Sequence, residues 1–424
     1  MSKTGSDDSR LVIRTRGIVP IQDLVCLRDF GVIRSEPDYP IQDDQFQPNS
    51  LDLRLGTHAY RVRCSFLPEK ERVESKLERL SQHSFDIRNG AVLEQNITYL
   101  IPLLEELHLP LTTRMIPSQT LKNPKNSGSG GGVLLTEEPL TAKANPKSST
   151  GRLDIFTRLI TDFSHRFEEI TAGYSGRLYL EVVPKSFPVK VRTGQRLNQL
   201  RIRHGFARLS DQDILHTHQH DPILFDENGK PLPVDELNVR NGLFMRVGLH
   251  GPEGSIIGYR AKKHRDLIDL EMKDHYDVEE FWDPIYARKD DYMILEPEAF
   301  YIFASRERCR IPRHLAAEMV PYDTGSGELR THYAGFFDSG FGGEIRDGGA
   351  RAVLEVRSHD VPFLVEDGQT FFRMIFESNT APPESLYGIE LESHYQGQSL
   401  KLGKHFRDMP PRSTPPPSPL PGSD

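Results

Sequence analysis

Short runs of aliphatic, aromatic and β-branched residues recur along the 424-residue chain. Arg177 to Val183, Val189 to Arg192, Ala352 to Val356 and Gln369 to Phe376 are examples. Gly, Pro and Asp clusters bound such runs every eight to twelve residues or so, as turns bound the short strands of sandwiches and barrels. The spacing predicts an all-β fold, a sandwich or barrel rather than alternating βα units. Helical patterning is confined to short pieces, Glu69 to Ser81 and Val278 to Asp283.

The pattern occurs twice. Ala91 to Ile101 can be laid on Met293 to Phe303 at an offset of 202, and the register holds to Pro110 and Pro312. A second block, Arg177 to Val182, lies on Arg351 to Val356 at an offset of 174 and continues without gaps through Pro188/Pro362 and Gln195/Gln369. Two ungapped blocks in the same order imply a duplicated domain. The first copy then carries 28 extra residues between its blocks. They include the glycine-rich stretch Ser127 to Gly132, which reads as part of a flexible insertion over about 118–140. The expected layout is an N-terminal extension (1–29), a first domain (30–209), a polar linker (210–240), a second domain (241–400) and a Pro-rich tail (402–424) expected to be disordered.

Composition narrows the function classes. With 37% hydrophobic and 27% charged residues the chain suits a soluble protein, expected to be cytoplasmic. A formal net charge of −8 disfavours bulk nucleic-acid and membrane-surface binding, which want a basic face, but permits one local basic pocket. Three scattered cysteines (Cys26, Cys64, Cys309) offer neither a disulfide framework nor a Cys-based metal site.

One such pocket is suggested by residues 145–152. They hold two cations (Lys147, Arg152), three hydroxyls (Ser148, Ser149, Thr150) and a turn-forming Gly151. Fixed cations and hydroxyl donors suit an oligophosphate, although the stretch taken alone equally suits a plain turn. Two strand glutamates also stand out. Glu181 lies between Leu180 and Val182, and Glu355 between Leu354 and Val356. Alternation alone would point each to solvent; buried, each would need a partner.

Together with Gly173 to Glu181 and the strand Asn49 to Gly56, the 145–152 loop resembles the dCTP deaminases of the dUTPase-like superfamily, in their long two-domain form. The resemblance implies two tandem dUTPase-like domains. It also implies hydrolysis of dCTP to dUTP and ammonia in pyrimidine deoxynucleotide synthesis, with Mg²⁺ carried by the triphosphate and dTTP as a candidate inhibitor. No zinc is expected, because the chain lacks the Cys-x-x-Cys run of zinc deaminases. The family's sites form between subunits, so a homo-oligomer is expected.

By the same resemblance, Lys147, Ser149, Thr150 and Gly151 belong to a phosphate loop, with Ser148 and Arg152 ordering the reactive water. In the second copy, Ala334, Asp338, Val353 and Leu354 belong to the nucleoside side. Tyr387, His394 and Gln398 match a closing lid, with His394 where the family has lysine. Glu355 is the first choice of general base and Glu181 the reserve. The copies differ: copy two keeps Ser326 and Arg330 but gains Glu328 beside the phosphates, and copy one has Thr171 where the hairpin aspartate should be. Only the loop of copy one with the hairpin of copy two is complete. A composite site is therefore expected, with Ser326, Arg330 and Thr171 vestigial. The rival readings are a dUTP diphosphatase, alone or combined with deamination, and a non-catalytic nucleotide-binding β-sandwich assembly.

Overall fold

The computed structural model describes residues 10–111, 114–116, 132–321, 329–331, 335–358, 360–388 and 400–408. Strands dominate it. The first domain is organised around β1 (Ser50–Arg54), β2 (Tyr99–His108), β3 (Leu140–Pro146), β4 (Ile155–Thr161), β5 (Ser175–Pro184) and β6 (Arg196–His204). The second is organised around β7 (Leu243–Arg246), β8 (Phe300–Cys309), β9 (Leu315–Pro321), β10 (Leu329–Thr331), β11 (Ala350–Ser358) and β12 (Thr370–Ser378).

In the first domain β6 lies between β3 and β1, and β5 lies between β4 and β2. In the second, β12 lies between β9 and β7, and β11 between β10 and β8. Glu181 sits opposite Leu100 in the β5–β2 ladder, and Glu355 opposite Ile302 in the β11–β8 ladder.

Two-residue alternation sets which side chains meet. On β5, Leu178, Leu180 and Val182 enter the first core, while Tyr179 joins a small cluster with Val73 and Leu77 of the helix Val73–Leu80. On β11, Ala352, Leu354 and Val356 enter the second core. The opposite face of β11 meets the first domain, and Val353 packs into that domain's core. The strand that carries Glu181 is therefore covered by its own domain's helix, whereas the strand that carries Glu355 is covered by the other domain.

Several expected boundaries differ. Arg10–Ile13 pairs with Gly132–Thr136, and the helix Ile21–Asp29 buries Leu24 and Leu27, so described residues of the N-terminal extension belong to the first domain. The strand Gly132–Thr136 also replaces part of the expected flexible insertion, of which residues 118–131 lie outside the described set. The expected linker holds the helix Asp211–His220, which begins in a Ser210/Asp213 capping box, and the strand Leu224–Phe225, which pairs with β8. Its Ile214, Ile223 and Leu224 are core residues, a short apolar set diluted by polar neighbours. Residues 400–408 are packed rather than part of a tail, with Leu402 and Phe406 in the first core.

Candidate active site

The 145–152 loop leaves β3 and makes one helical turn, Ser148–Gly151. Two bonds tie it to the strand beside it: the Lys147 amide and the Thr150 hydroxyl both donate to the Leu197 carbonyl, at 3.0 and 2.7 Å. Lys147 Nζ is paired with the carboxylate of Asp52 on β1. Ser148 is exposed, whereas Ser149 and Arg152 are buried. Arg152 donates through Nη1 to the main-chain oxygen of Lys401 at 2.9 Å, so the loop is fastened to the C-terminal segment.

The second domain brings its hairpin to this loop through contacts made by the first. Arg201 on β6 is fully buried and donates to Asp338 Oδ1 at 2.8 Å and to the Ala317 carbonyl at 3.0 Å. Its guanidinium lies 4.0 Å from the centre of the Phe336 ring. Asn49 Oδ1 accepts from both the amide and the hydroxyl of Ser339, each at 2.8 Å. Gly340 has φ +94°, and a Cβ there would come within 3.0 Å of the Tyr387 backbone. Glycine thus lets the hairpin pass close to the segment that carries Tyr387.

Loop, hairpin and β11 enclose a cavity of about 560 Å³. Lys147, Arg152, Arg196, Lys273, Arg351 and Lys404 line it with positive charge, Asp44, Asp52, Asp338 and Glu355 with carboxylates, and Phe336, Phe337 and Phe341 with aromatic rings. Glu355 is 6% exposed. Burial pushes its carboxyl up to about 7, against the opposing pull of the nearby Arg152 charge. His405, also buried, is pushed down to about 4 by desolvation and by Lys404. Among the described residues no three His, Cys, Asp or Glu side chains converge as a metal-binding set.

The cavity gathers Lys147, Ser148, Ser149, Thr150, Gly151, Arg152, Asp338, Val353, Glu355 and Tyr387 from one chain. Leu354 is not among them: alternation on β11 turns it into the second core. The Thr150 hydroxyl proton is already committed to Leu197.

Glu181 lies outside the cavity. It accepts from Arg158 Nε and Nη2 at 2.9 and 2.6 Å, and the Arg158 guanidinium stacks 3.9 Å from the Phe167 ring centre. The partner that a buried carboxylate needs is thus supplied by its own domain. Thr171 lines a different depression, with Tyr174, Arg177 and Tyr179. Ser326, Ala334, His394 and Gln398 lie outside the described residues, as does the side chain of Arg330.

Asp52, Arg196, Lys273, Lys404 and His405 were not singled out from the sequence. A signal existed for Asp52, a charge inside the apolar strand Leu51 to Leu55. For Lys404 and His405 the signal was Phe406, a large apolar residue just ahead of the Pro-rich stretch.

Two family models match nearly the whole chain. The N-terminal domain model of 2′-deoxycytidine 5′-triphosphate deaminase matches residues 15–133 and 131–206, and the C-terminal domain model matches residues 210–406. The chain belongs to the dCTP deaminase family. A crystal structure of 2′-deoxycytidine 5′-triphosphate deaminase from Agrobacterium tumefaciens is 43% identical. It superposes with a TM-score of 0.76 over 89% of this chain and 100% of that one. Among curated relatives, "dCTP deaminase, dUMP-forming" of Methanosphaera stadtmanae is 28% identical over 30% of this chain and 62% of its own. A protein of the same description from Halobacterium salinarum is 30% identical over 31% and 65%. The "dCTP deaminase" of Natronomonas pharaonis is 29% identical over 29% and 61%. The chain thus spans somewhat less than two thirds of the length of these curated relatives.

Proposed function

We propose that the chain hydrolyses dCTP to dUTP and ammonia in a composite site built from both domains, with Mg²⁺ arriving as part of the nucleotide substrate. One observation carries this reading. A buried carboxyl, Glu355, is held near neutrality in a cavity lined by six cationic side chains. Six cations suit a triphosphate, and a carboxyl that titrates near 7 can accept and return a proton at working pH.

In this mechanism ionised Glu355 removes a proton from water as its oxygen attacks C4 of the cytosine ring. Glu355 passes that proton to N3, then carries the remaining proton of the C4 hydroxyl to the amino group, so that the C4–N bond breaks, the C4 carbonyl forms and ammonia leaves. Glu355 is thereby returned to its starting state, and water plus dCTP becomes dUTP plus ammonia. Arg152 lies close enough to Glu355 to favour its charged form. With Ser148 it would order the water, while Lys147 and Ser149 hold phosphate. Asp338, fixed by Arg201, would receive the sugar, and the phenylalanines would flank the base.

The second reading is that dUMP is the final product, as the names of the Methanosphaera and Halobacterium relatives state for those proteins. Incubation with dCTP and Mg²⁺, with ammonia measured and the nucleotide product identified, separates the readings. Ammonia with dUTP supports the first and ammonia with dUMP the second, while binding without ammonia release would leave a nucleotide-binding assembly. We also infer a duplication of one ancestral domain, a cytoplasmic site of action, where free dCTP is made, and homo-oligomeric assembly as in the family.

A further inference from the structure

We propose that Arg351 of β11 binds a phosphate of the substrate, because the carboxylate that neutralises its counterpart in the first domain is missing from the second. This rests on the reading of the cavity as a nucleoside triphosphate site. Arg351, Val353 and Glu355 alternate along β11, and all three line the cavity. Arg351 is partly buried there. At about 3.3 Å per residue, its Cα lies roughly 13 Å along the strand from that of Glu355.

The matching strands of the two domains differ at this point. Arg177 sits opposite Glu106 in the β5–β2 ladder and pairs with it at 3.3 Å. Arg351 sits opposite Arg308 in the β11–β8 ladder, so a cation stands where the first domain has the carboxylate. Like charges directly opposite one another destabilise a sheet. The two side chains part. Arg308 donates through Nε to the Gly348 and Gly349 carbonyls at 3.0 and 3.1 Å, and through Nη2 to Gly349 at 2.9 Å. Those carbonyls belong to a longer connection: thirteen positions separate Asp338 from Arg351, whereas six separate Thr171 from Arg177. Arg308 is thus held by the connection, and Arg351 is left on the cavity face.

Among the described residues Arg351 makes no hydrogen bond or ion pair. Other cations of the cavity are already matched, Lys147 with Asp52 and Arg196 with Asp44. A partly buried guanidinium facing a cavity favours an anionic ligand, and its planar fork fits two oxygens of one phosphate. The base and sugar of dCTP are neutral, so its phosphates are the groups that meet this requirement. The separation from Glu355 makes Arg351 a binding residue that does not reach the reacting atoms.

The test measures calorimetric affinity for inorganic triphosphate, ligand-free thermal unfolding and dCTP turnover in wild type, Arg351→Met, Arg351→Gln and Arg177→Met. We expect Arg351→Met to weaken triphosphate at least tenfold and to raise KM for dCTP by a similar factor, with kcat changed less than threefold. Without ligand it should melt no lower than wild type, since it removes one of two opposed like charges. Arg177→Met should leave triphosphate affinity unchanged. Wild-type affinity in Arg351→Met, or equal losses in Arg351→Met and Arg177→Met, overturns the proposal. So does a loss of affinity accompanied by a lower ligand-free melting temperature, which would make Arg351 a structural residue. Absence of dCTP turnover in the wild type would overturn the deaminase reading, while the triphosphate measurement still judged Arg351. If Arg351→Met fails to fold, Arg351→Gln, polar but uncharged, decides by the same criteria.

Discussion

Glu355 and Glu181 occupy matching places in two similar strands, yet their surroundings differ. Glu355 is buried toward the other domain with its carboxyl raised to about 7. Glu181 is equally buried but bound twice by Arg158. Glu355→Gln should abolish turnover and leave dCTP binding within a few-fold, because an amide keeps the shape but accepts no proton from water. In the wild type kcat/KM should rise with pH through about 7 as the carboxyl ionises. Stability should move the other way. The carboxyl is raised in the fold, so ionising it costs nothing below an unfolded pKa near 4.5, increasingly more up to about 7, and roughly 3 kcal/mol above that. Glu355→Gln should therefore melt higher than wild type at pH 8, with the advantage vanishing toward pH 4.5; equal melting at pH 8 would contradict the buried carboxyl. Glu181→Gln should keep kcat and lose about 1–2 kcal/mol in denaturant unfolding, since glutamine can still accept from Arg158 but without the charge.

At the scale of elements, the site depends on pieces that look unlike functional segments. The strand around Leu51 to Leu55 carries Asp52 into the cavity, and Asn49 just before it fixes the Ser339 turn. Residues 400–408 are held chiefly by Phe406, which is 3% exposed among aromatic rings. Phe406→Ala should cost about 3–4 kcal/mol of stability, the usual penalty for emptying an aromatic core site. The same change should also lower kcat, because residues 400–408 hold Arg152 through the Lys401 carbonyl and the Arg152 charge acts on Glu355. Unfolding midpoints and steady-state kinetics check both parts, and a loss of stability with unchanged kcat would contradict the second.

At the scale of the whole molecule, the two domains are joined by buried ionic contacts that also set the site. Arg357 on β11 reaches Asp154, just beyond the phosphate loop, and Lys143 on β3 reaches Glu318 on β9. The 145–152 loop, Asp338, Glu355 and Lys404 line the cavity from a single chain. Mixing Arg152→Ala chains with Glu355→Gln chains should then restore no activity, because no chain in the mixture has both parts intact. Recovery toward a quarter or more of wild-type turnover would mean that chains exchange their site elements.

Taken alone, the sequence determined what is local and periodic: short strands, the repeat of the strand pattern, the cationic and hydroxyl-rich residues of the 145–152 loop and the two strand glutamates. What it could not determine was what covers each face of a strand. Alternation puts Leu354 and Glu355 on opposite faces but is silent on which neighbour lies over each. The helix Val73–Leu80 and Arg158 close over one glutamate and the other domain over its counterpart. That difference, together with the return of residues 400–408 to a cavity assembled far back in the chain, rests on long-range packing and desolvation, which arise only once distant segments meet.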